Sequence, residues 1–345
     1  MPPGTPRSPA TLHDVAREAG VSLATASRSL NGSTRRVNEE YRARVVAAAE
    51  RLGYIANFSA QAIAKGMSPT VALVVSDIAD PYFSSIASGV MRGADESGLL
   101  VTMAVTERSA ARELGIVKSL RGQRPRVLIL TGSRFLDSAG EEEALTRELA
   151  AYEESGGRVV VVAQQSLPFD TVQMRNYEGA RDLARALADR GNRRFAAITG
   201  SRSLLTSADR LQGFRDGLAE SGIELPDELV VAGEFTRDGG YAAAGELLER
   251  GLDGVDVVFA VSDVMAIGTL SRLRDAGVDV PGRIGVAGFD DIATAADVTP
   301  ALTTVRLPLV EMGRLALEMA LREREDGERQ VRTVGGAVLL RASTR

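Results

Sequence analysis

The chain is 345 residues long, 44% apolar and 25% charged, the composition of an ordinary globular protein with enough length for two domains. It has no cysteine and a single histidine, His13, which excludes disulfides, thiolate metal sites, cysteine nucleophiles, H-E-x-x-H zinc sites and any histidine-based triad in the body of the chain. The net charge of −5 is unevenly spread: residues 1–66 carry nine Lys and Arg against five Asp and Glu, and residues 67–345 carry 32 against 41, so a small basic head able to approach phosphates precedes a large acidic body.

Residues 1–10 read as a disordered tail without the apolar core of a signal peptide. Leu12, Val15, Ala16 and Ala19 then mark one face of a helix, with Thr11 as N-cap, Asp14 as the reciprocal partner of a capping box and Gly20 as the stop. Ser22 caps a second helix that runs to Leu30, turning Ala26 and Leu30 inward and Leu23, Ala24, Ser27 and Arg28 outward before Asn31-Gly32 ends it. Asn38 caps a third, with Glu39 and Glu40 at its positive end, Val45, Ala49 and Leu52 on its inner face and Gly53 closing it. Two short helices joined by a glycine turn and followed by a packing helix spell a helix-turn-helix over residues 11–56, whose second helix enters the major groove of DNA. Residues 57–68 are a linker. Within it, 58–65 is helix-compatible but shorter than the ~12 residues an isolated helix needs, so it is either a conditional helix or a plain flexible connection.

The body, 69–345, alternates short apolar runs with helices. Strands are expected at 71–75, 99–105, 127–131 and 159–162, with a helix over 82–97. A second set begins near Pro168, with strands at 195–199, 229–232, 257–260 and 284–288 and helices over 177–190, 208–221 and 262–276. Two doubly wound parallel-sheet subdomains in series imply a cleft between them, with 69–164 plus 293–324 in the first and 165–292 plus 325–345 in the second. Neither G-x-G-x-x-G nor G-x-x-x-x-G-K-[ST] occurs, so neither dinucleotide nor P-loop phosphate binding is indicated; no cofactor and no metal are expected.

The run Thr11-Leu12-His13-Asp14-Val15-Ala16-Arg17-Glu18-Ala19-Gly20-Val21-Ser22, with Thr25, Ser27-Arg28 and Leu30-Asn31-Gly32, then Glu50-Arg51-Leu52-Gly53-Tyr54 and Asn57, closely resembles the DNA-binding head of the lactose repressor/galactose repressor (LacI/GalR) family. The body is similar to the effector domain of the same family, itself similar to periplasmic sugar-binding proteins. The matching stretches are Asp80-Pro81-Tyr82-Phe83, Arg210-Leu211 with Gly213-Phe214, Gly233-Glu234-Phe235, Ser262-Asp263 with Met265-Ala266 and Gly268, Gly288-Phe289-Asp290-Asp291, and Pro300-Ala301-Leu302-Thr303-Thr304-Val305. The implied fold is an all-α helix-turn-helix head joined by a hinge to a periplasmic-binding-protein-like α/β body.

In the head, the resemblance puts Leu23 and Ala24 at the base edges, where apolar side chains suit a thymine methyl. Arg28 suits either a bidentate contact to guanine or a phosphate. Ser22, Thr25, Ser27, Arg36 and Asn38 become phosphate contacts, and Tyr41 stands where the family has a small polar residue. Asn57, Ala60 and Ile63 become the minor-groove face of a hinge helix, with Ile63 as the wedge where the family has leucine, and Ala56 where it has proline.

In the cleft, Arg210 and Asp290 become polar clamps, one from each side, and Tyr82, Phe83, Phe235 and Phe289 line the apolar face of a ligand. An arginine with a carboxylate suits vicinal hydroxyls, and aromatic rings suit the C–H face of a pyranose. Gln164 and Ser262 replace an aspartate and an asparagine usual in the family, which leaves open an effector unlike an ordinary hexose, or a lost site. The plainer alternative is that Arg210 and Asp290 form a structural pair and the phenylalanines belong to the core.

The resemblance thus implies a transcriptional repressor and no enzyme. It acts as a homodimer on pseudo-palindromic double-stranded operator DNA, with a sugar-like effector shifting its conformational population. With no heptad segment after Val338-Leu339-Leu340, a dimer is favoured over a tetramer. A cytoplasmic protein without membrane contact is expected, because no apolar run approaches the ~18 residues of a spanning helix. Two rivals remain: a sugar-binding transport component with no DNA role, and a carboxylate glycosidase, for which the adjacent Asp290 and Asp291 are by themselves an unsuitable pair across a substrate.

Overall fold

The computed structural model describes residues 10–31, 37–54, 67–134, 139–163, 167–323 and 328–345, and the chain divides into two compact units between Ser68 and Pro69. The first contains helices α1 (Leu12–Ala19), α2 (Leu23–Asn31) and α3 (Glu39–Leu52). The capping box forms in both directions: the Thr11 hydroxyl oxygen accepts from the Asp14 N–H at 3.3 Å, and the Asp14 carboxylate accepts from the Thr11 N–H at 3.0 Å. Gly20 and Gly53 end α1 and α3 in the left-handed conformation that only glycine adopts at no steric cost. Val15, Ala16, Ala19, Ala26, Val45, Ala48 and Ala49 make a small core, covered by Leu12, Val21, Leu30 and Tyr54. Leu52, expected on the inner face of α3, is 37% exposed instead, since it belongs to the last turn, where Tyr54 takes over the covering position.

The body has two lobes. Strands β1 (Ser68–Val75), β2 (Leu100–Val105), β3 (Pro125–Thr131), β4 (Arg158–Val162), β5 (Asp170–Met174) and β11 (Val331–Val334) build the first sheet in the order β11-β5-β4-β3-β1-β2. Helix α4 (Pro81–Glu96) packs with α12 (Leu309–Leu321), and α5 (Ala110–Gln123) with α6 (Ala139–Glu154). The second sheet has β6 (Phe195–Thr199), β7 (Val230–Ala232), β8 (Val257–Ala260) and β9 (Gly285–Ala287) in the order β7-β6-β8-β9, all parallel. Around it, α7 (Asn176–Asp189) pairs with α8 (Leu205–Ala219) and α9 (Arg237–Arg250) with α10 (Asp263–Asp275). Backbone meets backbone in the last pair: a Cβ on Gly268 would lie 2.0 Å from the Arg237 carbonyl oxygen, and one on Gly240 would lie 2.2 Å from that of Met265. After the short α11 (Thr294–Asp297), a ribbon of β10 (Thr304–Arg306) and β12 (Ala337–Leu339) completes the fold.

The crossings between lobes differ from those expected at 164/165, 292/293 and 324/325. Strand β5 extends the first sheet, so the first crossing follows Met174. Residues 294–306 stay with the second lobe, where the Gly288 N–H donates to the Thr303 carbonyl oxygen and the Asp290 N–H to that of Val305. Strand β11 returns to the first sheet beside β5. The cause is polar: the buried Asp170 carboxylate accepts from the Gln330 N–H at 2.8 Å and from Arg158 at 3.1 Å, anchoring a strand too hydrophilic to show as an apolar run.

Candidate functional site

In the head, α2 turns Leu23, Ala24 and Arg28 to solvent, with Leu23 39% exposed. The two hydroxyls at its start hold each other: Ser22 Oγ lies 2.8 Å from Thr25 Oγ1 and accepts from the Thr25 N–H at 3.1 Å, capping the helix. Asn38 Oδ1 accepts from the Glu40 N–H at 2.9 Å, so this expected phosphate contact is also the cap of α3. Ser27 is half-buried on the same helix. The expected contacts Arg36, Asn57, Ala60 and Ile63 lie outside the described residues, as does Gln164.

In the body, the carboxyl ends of both sheets face one cleft, the usual binding edge of doubly wound sheets. The first lobe contributes Asp80, Tyr82 and Phe83 after β1, Arg108 after β2, Gly132 and Ser133 after β3, and Met174 at the end of β5. The second contributes Leu204, Thr206 and Arg210 after β6, Phe235 after β7 and Asp290 after β9. Together they wall one cleft. Asp80 N-caps α4, accepting from the Tyr82 N–H at 3.0 Å, and this delivers Phe83 to the wall. Burial raises the Asp80 pKa, while the Tyr82 N–H and the Arg108 guanidinium pull it down.

Arg210 is the best-anchored polar group of the cleft. Its Nε donates to Asn176 Oδ1 at 2.9 Å, one terminal nitrogen to the Val261 carbonyl oxygen at 2.8 Å and the other to Asp290 Oδ1 at 2.8 Å, and the guanidinium lies 3.9 Å above the Phe289 ring. Arg210 and Asp290 are therefore not clamps from opposite sides: both come from the second lobe and meet directly. Phe289 is fully buried as the platform beneath Arg210 and does not line the cleft. Ser262 is buried too, its Oγ accepting from the Met265 N–H at 3.4 Å as the N-cap of α10. Tyr82, Phe83, Phe235, Arg210 and Asp290 do line it.

Behind Asp290 stands Asp263, whose carboxylate accepts from the Thr304 hydroxyl at 2.6 Å and the Ile292 N–H at 2.9 Å. Burial pushes it up to about 6 despite these bonds. Burial also raises Asp290; the Arg210 guanidinium pulls it back, and Asp263 adds to the rise. Asp291 faces elsewhere, bound by Arg306 at 2.7 Å and Arg341 at 2.6 Å, so the adjacent carboxylates have separate surroundings.

Sequence reasoning passed over Asp80, Arg108, Ser133 and Asp263. Asp80 and Asp263 lay inside quoted motifs without being singled out, and Arg108 had no local signal, since its position depends on the end of β2. Contacts among the described residues bridge the lobes. The Thr206 N–H donates to Ser133 Oγ at 3.0 Å, the Leu205 N–H donates to the Arg134 carbonyl oxygen at 3.0 Å, and the Arg108 guanidinium lies 5.3 Å from the Phe235 ring. The two N–H groups open helix α8, whose N-cap residue, Leu204, has no side chain able to satisfy them. The first lobe supplies that cap.

A head that presents a reading helix, together with a two-lobed α/β body whose cleft is lined by aromatic and charged side chains, defines a transcriptional regulator with an effector chamber. Residues 11–57 match the model of bacterial regulatory proteins of the lacI family, and 184–344 that of the periplasmic binding protein-like domain. The HTH-type transcriptional regulator GalR of Escherichia coli (strain K12) is 36% identical over 315 residues, 90% of this chain and 88% of that protein. Two solved structures are similar: a transcriptional regulator CelR–cellobiose complex (33% identity, TM-score 0.70, 97% of this chain and 99% of that one) and the lac repressor dimer bound to operator and the anti-inducer ONPF (24% identity, TM-score 0.83, 98% and 99%). The chain belongs to the lacI family of bacterial regulatory proteins.

Proposed function

We propose that this regulator is a cytoplasmic repressor that binds a pseudo-palindromic operator as a homodimer and is controlled by a neutral sugar held between the lobes. The observation that carries the effector reading is the Arg210–Asp290 pair, fixed at 2.8 Å in a cleft whose other walls are Phe83 and Phe235. Its polar groups are pre-set for hydroxyls and its rings for a C–H face. The cellobiose of the CelR complex and the operator-bound lac repressor dimer support the same reading. Arg28, exposed on α2, reads a base, Leu23 and Ala24 favour thymine, and Ser22, Thr25, Ser27, Arg36 and Asn38 fix register on phosphates. Asn57, Ala60 and Ile63 meet the operator in its minor groove.

Control follows from differential affinity: a ligand that binds only when Ser133 and Arg134 cap α8 across the cleft favours that state, and DNA affinity shifts by the coupling. Selecting duplexes from a random pool with the purified chain at physiological salt tests the reading. A two-fold symmetric motif, with retention altered by a sugar, is expected. Enrichment of no motif, with or without sugars, overturns it.

A further inference from the structure

Among the described residues, three segments join the lobes: the step from Met174, ending β5, to Asn176, opening α7; the step from Arg306, ending β10, to Leu309, opening α12; and the Gly335-Gly336 link between β11 and β12. They lie side by side. The Arg175 N–H donates to the Val334 carbonyl oxygen at 3.0 Å, tying the first crossing to the third. The second and third pair as antiparallel strands with Arg306 opposite Ala337, so close that a Cβ on Gly336 would lie 2.5 Å from Val305 Cγ1.

Asp290 has its backbone in this hinge and its side chain in the cleft. Its N–H donates to the Val305 carbonyl oxygen at 2.9 Å and its carbonyl oxygen accepts from the Leu307 N–H at 3.2 Å, on either side of Arg306. Its carboxylate holds Arg210, which in turn reaches Asn176 at the first crossing. The next residue grips the hinge from the other side. Asp291 Oδ2 accepts from Arg306 Nε at 2.7 Å, and Oδ1 lies 2.6 Å from a terminal nitrogen of Arg341. Arg341 is itself fastened to the second lobe: its other terminal nitrogen donates to the Leu302 carbonyl oxygen at 3.0 Å and its N–H to Thr303 Oγ1 at 2.8 Å. Asp291 thus straps the second crossing to the lobe that carries Arg210.

The two aspartates are consecutive non-glycine residues at φ 122 and 56. Such a backbone is costly for an L residue and persists only where the surroundings over-determine it. Here the constraint is applied at both ends, by Arg210 on Asp290 inside the cleft and by Arg306 and Arg341 on Asp291 outside it. Release of either end lets the peptide between them relax, and Arg306 and the crossing it belongs to move with it.

We propose that Asp291 is a positioning residue: with Arg306 and Arg341 it sets the hinge and holds Asp290 in the strained backbone from which it meets Arg210, so that a displacement of Asp290 in the cleft passes to the crossing strands through one peptide. The chain has no cysteine, so Lys118→Cys on α5 and Glu249→Cys on α9, both exposed, take spin labels at one site in each lobe. Double electron–electron resonance on the full chain, with no ligand added, then reads the lobe separation. Asp291→Asn keeps the size and a residue that tolerates the left-handed region, and removes the charge that both arginines hold. It is expected to raise the population lying outside the main distance by about fivefold or more. Arg306→Gln, at a side chain 56% exposed, is expected to do the same and carries the test should Asp291→Asn misfold. Asp290→Asn combined with Asp291→Asn is expected to shift the distribution no further than the larger single change, because the two act through one peptide. Distributions of Asp291→Asn and Arg306→Gln that match the parent, or effects of the two aspartates that simply add, overturn the proposal and leave the effector reading in place.

Discussion

Asp290→Asn tests the central feature of the cleft. The substitution keeps the shape and one acceptor oxygen but removes the single ion-pair partner of Arg210 among the described residues, in a place where Arg210 is 2% exposed and Asp290 4%. Breaking a buried pair by removing one partner costs about 3–5 kcal/mol, and the retained amide oxygen puts this case near the lower end, about 3 kcal/mol. For a body of this size that corresponds to a fall of about 6 °C in melting temperature. Chemical denaturation at pH 7 followed by circular dichroism measures the loss, and titration with the effector measures the function: the variant should bind operator and fail to respond. A second variant, Arg210→Met with Asp290→Leu, should be less destabilised than the sum of its parts, because neither charge is left alone. A loss below about 1 kcal/mol for Asp290→Asn would refute the reasoning, since it would mean that burial has already neutralised the carboxyl group and the guanidinium does not depend on it.

Three further outcomes are expected. Arg28→Ala should relax specificity at one base pair per half-site, read by binding to a library of operator variants; uniform weakening across all sequences would assign Arg28 to a phosphate. Because the folded body holds the Asp263 proton up to about 6 against an ordinary 3.8, this group makes the body less stable as pH rises from about 4 through 6, by about 3 kcal/mol in all. The stability difference between wild type and Asp263→Asn, followed from pH 4.5 to 7.5, should therefore change in that direction, and a pH-independent difference would count against it. Gly268→Ala should cost about 2–3 kcal/mol, because its Cβ meets a backbone oxygen at 2.0 Å that no rotamer change can move. A neutral result in a denaturant melt would show that α9 and α10 part freely.

The head was almost wholly legible in the sequence because its signals are local: a capping box spans three residues, and a left-handed glycine or a hydrophobic face declares itself within one helix. Leu52 escaped because periodicity says which face a residue is on and not where the opposing core stops. The strands of the body that are apolar runs, and the helices between them, were legible for the same reason, down to the ends of β6 and β8.

What only the tertiary structure decided is where those local pieces meet. Strand β5 is polar at Asp170, Thr171 and Gln173, and only its pairing with β4 and β11 makes it a strand. The sequence placed Arg210 and Asp290 in one cleft but on opposite sides; their separation of 80 residues along the chain says nothing of the 2.8 Å between them. Phe289 and Ser262 moved from ligand wall to support, one under a guanidinium and the other capping a helix. Arg108 and Ser133 entered the site unannounced, because a side chain at the end of a parallel strand acquires its neighbours from strands distant in sequence. Residue type and spacing set the chemistry available to this chain, and the convergence of strand ends from two sheets selected which of those groups share a cleft.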